Sequence, residues 1–285
     1  MNYTAMIDSI SAKVAEACPA DQVDYVNDEG LLVCHKCNTP KQCRVHVQIA
    51  NIIDEERIVS MMCACEKEAR EKEERAIAHR DFLLQRDKNR HHGFSDEEMQ
   101  HWTFANDDMS KPQLTQAMRN YVEHFPDFNK KGKGLLLYGD VGTGKTYAAC
   151  EVANALIDQG HQVLVTNFAK LCNTLQGMFE GRQQYIDSLN RYALLIIDDL
   201  AAERDTEYMQ EQVYNIIDAR YRAGLPMIIT TNLSGQQIKN PDSISKERIY
   251  SRILERCHPI EVKGADRRRA ALKDSYAETK NILGM

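Results

Sequence analysis

Apolar and polar positions in the second half of the chain alternate between short strand-like patterns and longer amphipathic helical patterns. Apolar runs of strand length occupy residues 134–138, 163–166, 194–197, 227–231 and 258–262. One helical pattern follows the Gly-rich loop at 139–144, continues to about residue 158 and ends at Gly160. Because parallel strands need crossover helices, this order predicts an α/β domain with a mostly parallel sheet and helices on both faces.

The pattern changes twice before these elements, which predicts two domain boundaries. Residues 1–65 contain few periodic apolar runs and most of the nine cysteines, as in a small domain whose core needs additional support. Residues 66–103 begin with a segment dense in charges of both signs and free of Gly and Pro as far as residue 92, which is typical of a solvated helical linker. The α/β domain then covers residues 104–285.

Composition narrows the classes of function. The 285 residues carry a formal net charge of −6, so any nucleic-acid contact must come from local patches and not from a generally basic surface. No basic segment followed by an apolar stretch opens the chain, and no apolar run approaches the ~20 residues that span a bilayer. We therefore expect a cytoplasmic protein with no membrane partner. An odd number of cysteines in such a chain indicates reduced thiols or metal ligands, not disulfides.

The loop after the first strand of the α/β domain matches the phosphate-binding pattern GxxxxGK[ST] in full. Its residues are Gly139, Asp140, Val141, Gly142, Thr143, Gly144, Lys145 and Thr146. The glycines allow backbone N–H groups to turn toward phosphate oxygens at the start of a helix, where anions are favoured. Lys145 can reach the β and γ phosphates and the Thr146 hydroxyl can bind Mg²⁺. The pattern predicts an ATP site with Mg²⁺ as a cofactor.

Two later strands end in polar side chains suited to the same site. The run 194–197 leads into Asp198 and Asp199, as in a Walker B element, and we assign Asp198 to Mg²⁺. Asp199 lies where many related ATPases carry a glutamate that polarises water, and the shorter carboxylate leaves the rate of hydrolysis open. The run 227–231 leads into Asn232, which could position water or the γ-phosphate. Both strands are expected to end at the same edge of the sheet.

Two closely spaced cysteine pairs predict a structural zinc site in the N-terminal domain. Cys34 and Cys37 form a C-x2-C pair, and Cys63 and Cys65 form a C-x-C pair after a long gap. Two thiolate pairs on separate turns can complete a tetrahedral Zn²⁺ site, which leaves no open position for catalysis. Because this spacing departs from common ribbon patterns, three residues could each replace one ligand: Cys43, His35 and His46.

The motifs GDVGTGKT, LLIIDDL, ITTNL, KERIYSRILERC and GADRR follow one another in this order. From about residue 104 to 272 the chain resembles the AAA+ ATPases of the DnaC/IstB group, the bacterial and phage helicase loaders and transposase helpers. The resemblance implies a trans-acting arginine finger at Arg252, with Arg248 as the neighbouring candidate. It implies a sensor 2 arginine at Arg268, with Arg267 as the alternative. A guanidinium group suits both roles because it stabilises charge on a transferring phosphoryl group.

The resemblance implies an ATP-dependent loader that grips the replicative hexameric helicase with its N-terminal domain and helps to place it on single-stranded DNA. ATP at a subunit interface implies self-association through the ATPase domain and slow hydrolysis stimulated by partner or DNA. Within the amphipathic insert 168–190 and just after Walker B, candidate DNA contacts are Lys170, Arg182 and Tyr208. Two alternatives stay open: an IstB-like transposase helper, and a non-catalytic nucleotide-gated adaptor suggested by Asp199.

Overall fold

The computed structural model describes residues 23–49, 53–201, 206–267, 276 and 279–283. The chain divides into two compact units, Met1–Asp81 and Phe82–Met285. Among the described residues, no helix is both long enough and apolar enough to cross a membrane.

The smaller unit consists of two antiparallel strand pairs and the start of a long helix. Strand β1 (Tyr25–Val26) pairs with β2 (Leu32–Val33), and β3 (Gln42–Ile49) pairs with β4 (Ile53–Ser60). Among the described residues of this unit, four apolar residues are buried: Leu31, Val33, Cys34 and Cys63. Two of these four residues are predicted zinc ligands, and a bound metal is a common support for a small core.

The charged segment after this unit is helical, as the sequence indicates. Helix α1 (Ala64–Gly93) is exposed along most of its length and carries Arg–Glu pairs four residues apart, including Arg70 with Glu74. The larger unit begins at Phe82, inside the predicted linker, and Phe94 and Trp102 pack against its core. A short 3-10 helix, Glu97–His101, lies between these two aromatic residues. The domain boundaries at 65 and 103 stay predictions.

The larger unit is the α/β domain, built around one five-stranded sheet. Its helices are α2 (Pro112–Glu123), α3 (Phe125–Lys131), α4 (Lys145–Asp158), α5 (Phe168–Gln176), α6 (Arg182–Ser188), α7 (Glu207–Ala223), α8 (Gly235–Lys239) and α9 (Ile244–Arg256). Its strands are β5 (Gly134–Tyr138), β6 (Val163–Asn167), β7 (Leu194–Leu200), β8 (Met227–Thr231) and β9 (Cys257–Glu261). The strand order is β6-β7-β8-β5-β9, and all neighbours are parallel, which confirms the predicted fold class.

Alternate residues of each central strand enter two separate hydrophobic cores, one on each face of the sheet. On β5, Leu135 and Leu137 pack beneath α2 and α4, while Leu136 faces the core formed with α5, α7 and α9. Successive side chains point to opposite faces, and both faces are buried, so successive positions of a strand are apolar. The strands therefore appear in the sequence as continuous apolar runs.

Strand β7 continues three residues beyond the predicted end at Ile197. Asp198 pairs with Asn167 of β6, and Leu200 pairs with Thr231 of β8, with a shift in register between Ile197 and Leu200. The irregularity falls at Asp199, whose φ of 56° lies in the left-handed region. Asp is one of the residues that tolerates this conformation, so the local distortion aims two consecutive carboxylates differently at the edge of the sheet.

Candidate nucleotide site and metal centre

The phosphate-binding loop curls between β5 and α4 through three glycines with positive φ. The values are 136° at Gly139, 76° at Gly142 and 88° at Gly144. A Cβ at Gly139 would lie 2.7 Å from the carbonyl oxygen of Val262, and a Cβ at Gly142 would overlap the carboxylate of Asp266. The loop therefore needs glycine for backbone conformation and for space, and Gly144 places α4 directly behind the loop.

Lys145 is buried under this loop, and all three protons of its ammonium group are donated in hydrogen bonds. Its Nζ donates to the carbonyl oxygens of Gly139 at 2.9 Å and Asp140 at 2.7 Å, and to Oδ1 of Asn232 at 2.8 Å. Burial lowers the pKa of Lys145, while the nearby Asp199 and Asp198 carboxylates act in the opposite direction. Because an ammonium has three protons, contact with a phosphate requires at least one of these bonds to be exchanged.

Thr146 and Asp198 meet where the predicted Mg²⁺ ligands should lie. The Thr146 hydroxyl donates to Asp198 Oδ1 at 2.8 Å, and Thr230 Oγ1 donates to the same oxygen at 2.5 Å. Burial raises the pKa of Asp198, and both hydroxyl bonds oppose that shift. A hydroxyl and a carboxylate beside a phosphate loop are hard oxygen ligands that fit Mg²⁺, so these two residues would hold the ion. The ion would supply positive charge against the phosphate oxygens.

Asp199 and Asn232 connect the tips of β7 and β8. The Asn232 amide donates to Asp199 Oδ1 at 3.3 Å, and its oxygen accepts from Lys145. The backbone N–H of Asp199 donates to Thr230 Oγ1 at 3.0 Å, which holds the left-handed turn in place. The structure thus brings the predicted residues Lys145, Asp199 and Asn232 into one hydrogen-bonded chain, and their catalytic roles stay predictions.

Two residues brace the outside of the loop. Lys111 Nζ donates to the Thr143 carbonyl at 2.6 Å, and the backbone N–H of Arg267 donates to the Gly142 carbonyl at 2.9 Å. Each bond polarises a peptide whose N–H belongs to the next loop residue, Gly144 or Thr143. Sequence reasoning missed Lys111 because it lies 32 positions before its partner and belongs to no motif. Only its position before Pro112, at the start of α2, hinted at a fixed conformation.

A cleft of about 740 Å³ opens beside the loop. Its walls include Trp102, Tyr147 and Asp108, and the rings of Trp102 and Tyr147 stack with centroids 5.7 Å apart. The Arg267 guanidinium donates to Asp108 at 2.5 Å and also lines this cleft. Volume, aromatic surface and the adjacent phosphate loop together suit a nucleotide.

The predicted trans-acting arginines lie away from this cleft. Arg252 on α9 donates to Asp218 Oδ1 at 2.8 Å and lies over the Tyr214 ring at 4.6 Å. Arg248, one turn earlier, is exposed. Arg268 lies outside the described residues, whereas its alternative Arg267 lies at the phosphate loop. The structure brings Arg267 to the site of its own chain and leaves Arg252 on another surface.

The candidate DNA contacts lie on three different helices and differ in exposure. Lys170 on α5 is exposed, and Arg182 at the start of α6 is exposed and donates to the Met178 carbonyl at 2.9 Å. Tyr208 on α7 is half-buried, and its hydroxyl is buried. Their roles as DNA contacts stay predictions.

The four predicted zinc ligands converge in the smaller unit. The sulfurs of Cys34, Cys37, Cys63 and Cys65 all lie within 4.8 Å of one another. The Cys34–Cys65 distance is 3.6 Å and the Cys63–Cys65 distance is 3.2 Å. Tetrahedral Zn²⁺ with bonds of about 2.3 Å places its sulfurs roughly 3.8 Å apart, so the cluster is consistent with zinc.

The surroundings of the cluster orient its thiols. The Thr39 hydroxyl accepts the backbone N–H of Ala64 at 2.8 Å and forms a hydrogen bond with Cys37 Sγ at 3.0 Å. This contact lowers the pKa of the Cys37 thiol to about 5. Cys63 and Cys65 flank the first residue of α1. Burial raises the pKa of the Cys63 thiol, and the contact with Cys63 together with burial raises the pKa of the Cys65 thiol to about 12.

The alternative ligands make other contacts. His35 Nδ1 bonds the Asp24 carboxylate at 3.1 Å, and Cys43 and His46 lie on β3. None of the three belongs to the group of four converging thiols, although His35 forms a smaller cluster with Asp24 and Cys34. The geometry favours the four-cysteine set.

Comparison with known proteins agrees with this geometry. The family model of IstB-like ATP-binding proteins matches residues 60–275, more than half of the chain. The replicative helicase loader DnaI of Bacillus subtilis is 24% identical over 180 residues, which is 58% of this chain and 58% of DnaI. A putative ATP-binding protein in an insertion sequence of Mycobacterium tuberculosis is 27% identical over 137 residues, 47% of this chain and 55% of that protein. The chain thus spans little more than half the length of the curated relatives it matches.

Solved structures show the same fold. The crystal structure of DnaI superposes with a TM-score of 0.51 at 24% identity, covering 59% of this chain and 94% of that one. A putative primosome component from Streptococcus pyogenes gives a TM-score of 0.51 at 24% identity, covering 60% of this chain and 90% of that one. The α/β domain is therefore a P-loop AAA+ domain. The chain belongs to the IstB-like ATP-binding family, which confirms the resemblance to the DnaC/IstB group, and it is a distant homologue of the replicative helicase loaders.

Proposed function

We propose that this protein is a cytoplasmic, ATP-dependent helicase loader. Its smaller unit binds the replicative hexameric helicase, and its AAA+ domain self-associates, engages single-stranded DNA and hydrolyses ATP slowly. The observation that carries the nucleotide-dependent part is the chain of contacts from Lys145 through Asn232 to Asp199.

This chain of contacts makes ATP a switch. Lys145 already donates three hydrogen bonds, so a γ-phosphate in reach of its ammonium competes with Asn232 for one of them. Release of Asn232 changes the partner of Asp199, and both residues lie at strand tips that face the nucleotide cleft. A phosphate at the loop thereby changes the hydrogen bonds of Asp199 and Asn232, the residues proposed to orient water. This change couples the state of the nucleotide to the tips of β7 and β8.

Assembly through the AAA+ domain rests on the position of Arg252. Its side chain lies on α9 between Asp218 and Tyr214, outside the cleft of its own chain, as a finger that serves a neighbouring protomer requires. Asp218 also pairs with Arg222 at 2.9 Å, so a second cation remains on this carboxylate when Arg252 turns toward a neighbour's phosphate. ATP bound between two protomers would then draw on Lys145 of one and Arg252 of the other.

The helicase-binding role of the smaller unit rests on its construction. The four-cysteine cluster fixes two turns at the start of a 30-residue helix, and the unit exposes apolar side chains, among them Val45, Ile58 and Val59 on its second hairpin. The proposal of a helicase loader is also supported by the distant homologues that are named replicative helicase loaders.

A loading assay tests the proposal. Single-stranded circular DNA annealed to a labelled oligonucleotide is coated with single-stranded-DNA-binding protein and incubated with the host's replicative helicase. We expect this chain with ATP to permit strand displacement and the Lys145→Ala variant to fail. The Lys130→Ala variant, changed at an exposed lysine of α3, is the matched control and should behave like the wild type.

A second candidate is a helper of a transposase. It is favoured by the 27% identity to the insertion-sequence protein of Mycobacterium tuberculosis. Tight binding of duplex DNA with no effect on the helicase in the loading assay would support this candidate. ATP binding with no turnover that Lys145→Ala abolishes would instead support a nucleotide-gated adaptor.

A further inference from the structure

The larger unit contains a second cavity, away from the nucleotide cleft. It is a groove of about 320 Å³ between the C-terminal half of α1 and the turn before β7. Helix α1 contributes Lys88, Asn89 and His92, and the turn contributes Arg191 and Tyr192. None of these residues belongs to the nucleotide site, and none was predicted to contact DNA. We refer to this feature as the α1 groove.

Most of the residues that line the α1 groove are basic or carry a side-chain amide. Lys88, His92 and Arg191 can carry positive charge, and among the described residues no carboxylate lines the groove. Two acids near these α1 residues are already paired: Asp87 with Arg86 at 2.8 Å, and Asp158 with Arg90 at 2.5 Å. On a chain with a net charge of −6, a local excess of cations marks an anion-binding surface.

One donor in the α1 groove is buried without an acceptor. Asn89 Nδ2 has no hydrogen-bond partner within the described part of the chain, while its Oδ1 accepts from Gln85 Nε2 at 2.9 Å. The contact with Gln85 fixes the oxygen of the Asn89 amide as the acceptor and leaves Nδ2 as the unpaired donor. Buried polar groups in proteins are hydrogen-bonded to the chain, to water or to a ligand, so this N–H has the capacity to donate to a water or to a phosphate oxygen.

Two further side chains are pre-positioned to meet an anion. His92 Nδ1 donates to the Lys88 carbonyl at 2.8 Å, which turns the other ring nitrogen away from the helix backbone. The Arg191 guanidinium donates to the Tyr192 hydroxyl at 2.7 Å and lies 4.8 Å from the centre of the Tyr192 ring. Most of its N–H donors stay available, in a fixed orientation.

We propose that the α1 groove binds a phosphodiester group of single-stranded DNA. Cations, neutral donors and the absence of lining carboxylates match a phosphate, and contact with the backbone carries no sequence preference. Arg191 covers the ring of Tyr192, so the groove recognises the phosphate and not a stacked base. The inference rests on the proposed function, in which single-stranded DNA is the substrate of loading, and it places one DNA contact beside the edge strand β6.

The test is the affinity of the full-length protein for a fluorescein-labelled oligothymidylate, measured by anisotropy over a series of salt concentrations. We expect the double variant Lys88→Ala/Arg191→Ala to bind about tenfold more weakly at moderate salt. The slope of log K against log salt should become shallower by about 0.7, because the groove binds one phosphate and each single-strand phosphate contact contributes about 0.7. The matched control, Lys72→Ala/Arg75→Ala, removes the same charges from exposed positions of α1 outside the groove and should retain wild-type values.

A second variant tests the buried donor without truncating a side chain. Asn89→Asp keeps the acceptor for Gln85 and replaces the unpaired N–H with a carboxylate oxygen, so we expect a loss of affinity of about tenfold or more. Thermal melting of each variant reports whether the fold is intact. Wild-type affinity and salt slope in both folded variants would overturn the proposal.

Two other outcomes would also overturn it. One is a wild-type protein that binds no oligothymidylate with or without ATP. The other is a pair of variants that lose only inorganic phosphate, measured by isothermal titration calorimetry, and retain the oligonucleotide. The proposed function is judged separately by association with the helicase, which needs no DNA, so the failure of one idea does not imply the failure of the other.

Discussion

The Lys145 ammonium donates to the side-chain oxygen of Asn232 at 2.8 Å, which joins the phosphate-binding loop directly to the tip of β8. Asn232 in turn donates to Asp199 at 3.3 Å, so three motifs that lie far apart in sequence form one hydrogen-bonded chain. A phosphate that takes one bond from Lys145 therefore changes the surroundings of both other residues.

Asn232→Ala should separate binding from hydrolysis. Lys145 keeps its two bonds to loop carbonyls and stays available to phosphate, so we expect the Kd for a fluorescent ATP analogue to change by no more than a few-fold. We expect kcat to fall by about 100-fold, as for other losses of one positioned polar group. Gln236→Ala, at an exposed position of α8, is the control. A parallel rise in Kd with unchanged kcat would contradict the role assigned to Asn232.

Lys111→Met should weaken ATP binding. The substitution removes a charge-assisted bond to the Thr143 carbonyl, and bonds of this kind contribute about 1.5–3 kcal/mol, which corresponds to tenfold or more in Kd. Lys111→Arg keeps a cationic donor and should recover most of the affinity. Lys130→Met is the control for the loss of an exposed lysine. Equal ATP affinity of the Met and Arg variants would show that the positive charge of residue 111 does not contribute to ATP binding.

Mixing two inactive variants tests whether Arg252 acts in trans. We expect Arg252→Ala and Lys145→Ala each to lose ATP hydrolysis, because one lacks the finger and the other lacks the phosphate contact. Their mixture should regain part of the activity, since some interfaces pair an intact Lys145 with an intact Arg252. Arg222→Ala, which removes the other partner of Asp218, should keep full activity. No recovery in a mixture that still assembles would place the finger elsewhere, with Arg248 as the next residue to substitute.

Glu151 should make the stability of the AAA+ domain fall as the pH rises. This side chain is buried on α4 and its Oε1 has no partner among the described residues. Burial, reinforced by the Asp107 carboxylate, raises its pKa from 4.5 to about 8. The folded state therefore keeps a proton that the unfolded state loses, and the stabilisation present below pH 4.5 is lost progressively up to about pH 8.

Urea unfolding of the wild type and of Glu151→Gln from pH 5 to pH 9 measures this effect. The difference in free energy of unfolding should change by as much as about 1.4 kcal/mol per pH unit within the window and favour the variant at high pH. Glu123→Gln, at an exposed position, should follow the wild type. Parallel curves for Glu151→Gln and the wild type would contradict the buried, protonated state.

Cys34→Ser should remove zinc and destabilise the smaller unit. Its sulfur is one of the four that converge, and structural zinc contributes on the order of 10 kcal/mol in small domains. Mass spectrometry of the purified protein should find about one zinc per chain in the wild type and none in the variant. Cys43→Ser is the matched control because Cys43 lies outside the cluster, and it should retain zinc. If Cys43→Ser lost zinc while Cys34→Ser retained it, Cys43 would be a zinc ligand in place of Cys34.

The sequence predicted those features that depend on local pattern. The apolar runs located all five strands of the AAA+ sheet, and the loop glycines located the phosphate site, because both follow from spacing along the chain. The end of β7 was missed because the apolar run stops at Ile197. Asp198 and Leu200 belong to the strand because they pair with residues of the neighbouring strands, which the sequence pattern does not show. Lys111, the Trp102–Tyr147 stack and the burial of Glu151 were missed because each depends on packing between segments distant in sequence.

The most direct test of the loader proposal is size-exclusion chromatography with light scattering of this protein mixed with the replicative hexameric helicase of its host, in ATP and in ADP. We predict a stable complex that Cys34→Ser abolishes and Cys43→Ser preserves, since the first change removes a converging thiol and the second does not. No complex in either nucleotide, together with tight binding of duplex DNA, would contradict the loader proposal and favour a transposase helper.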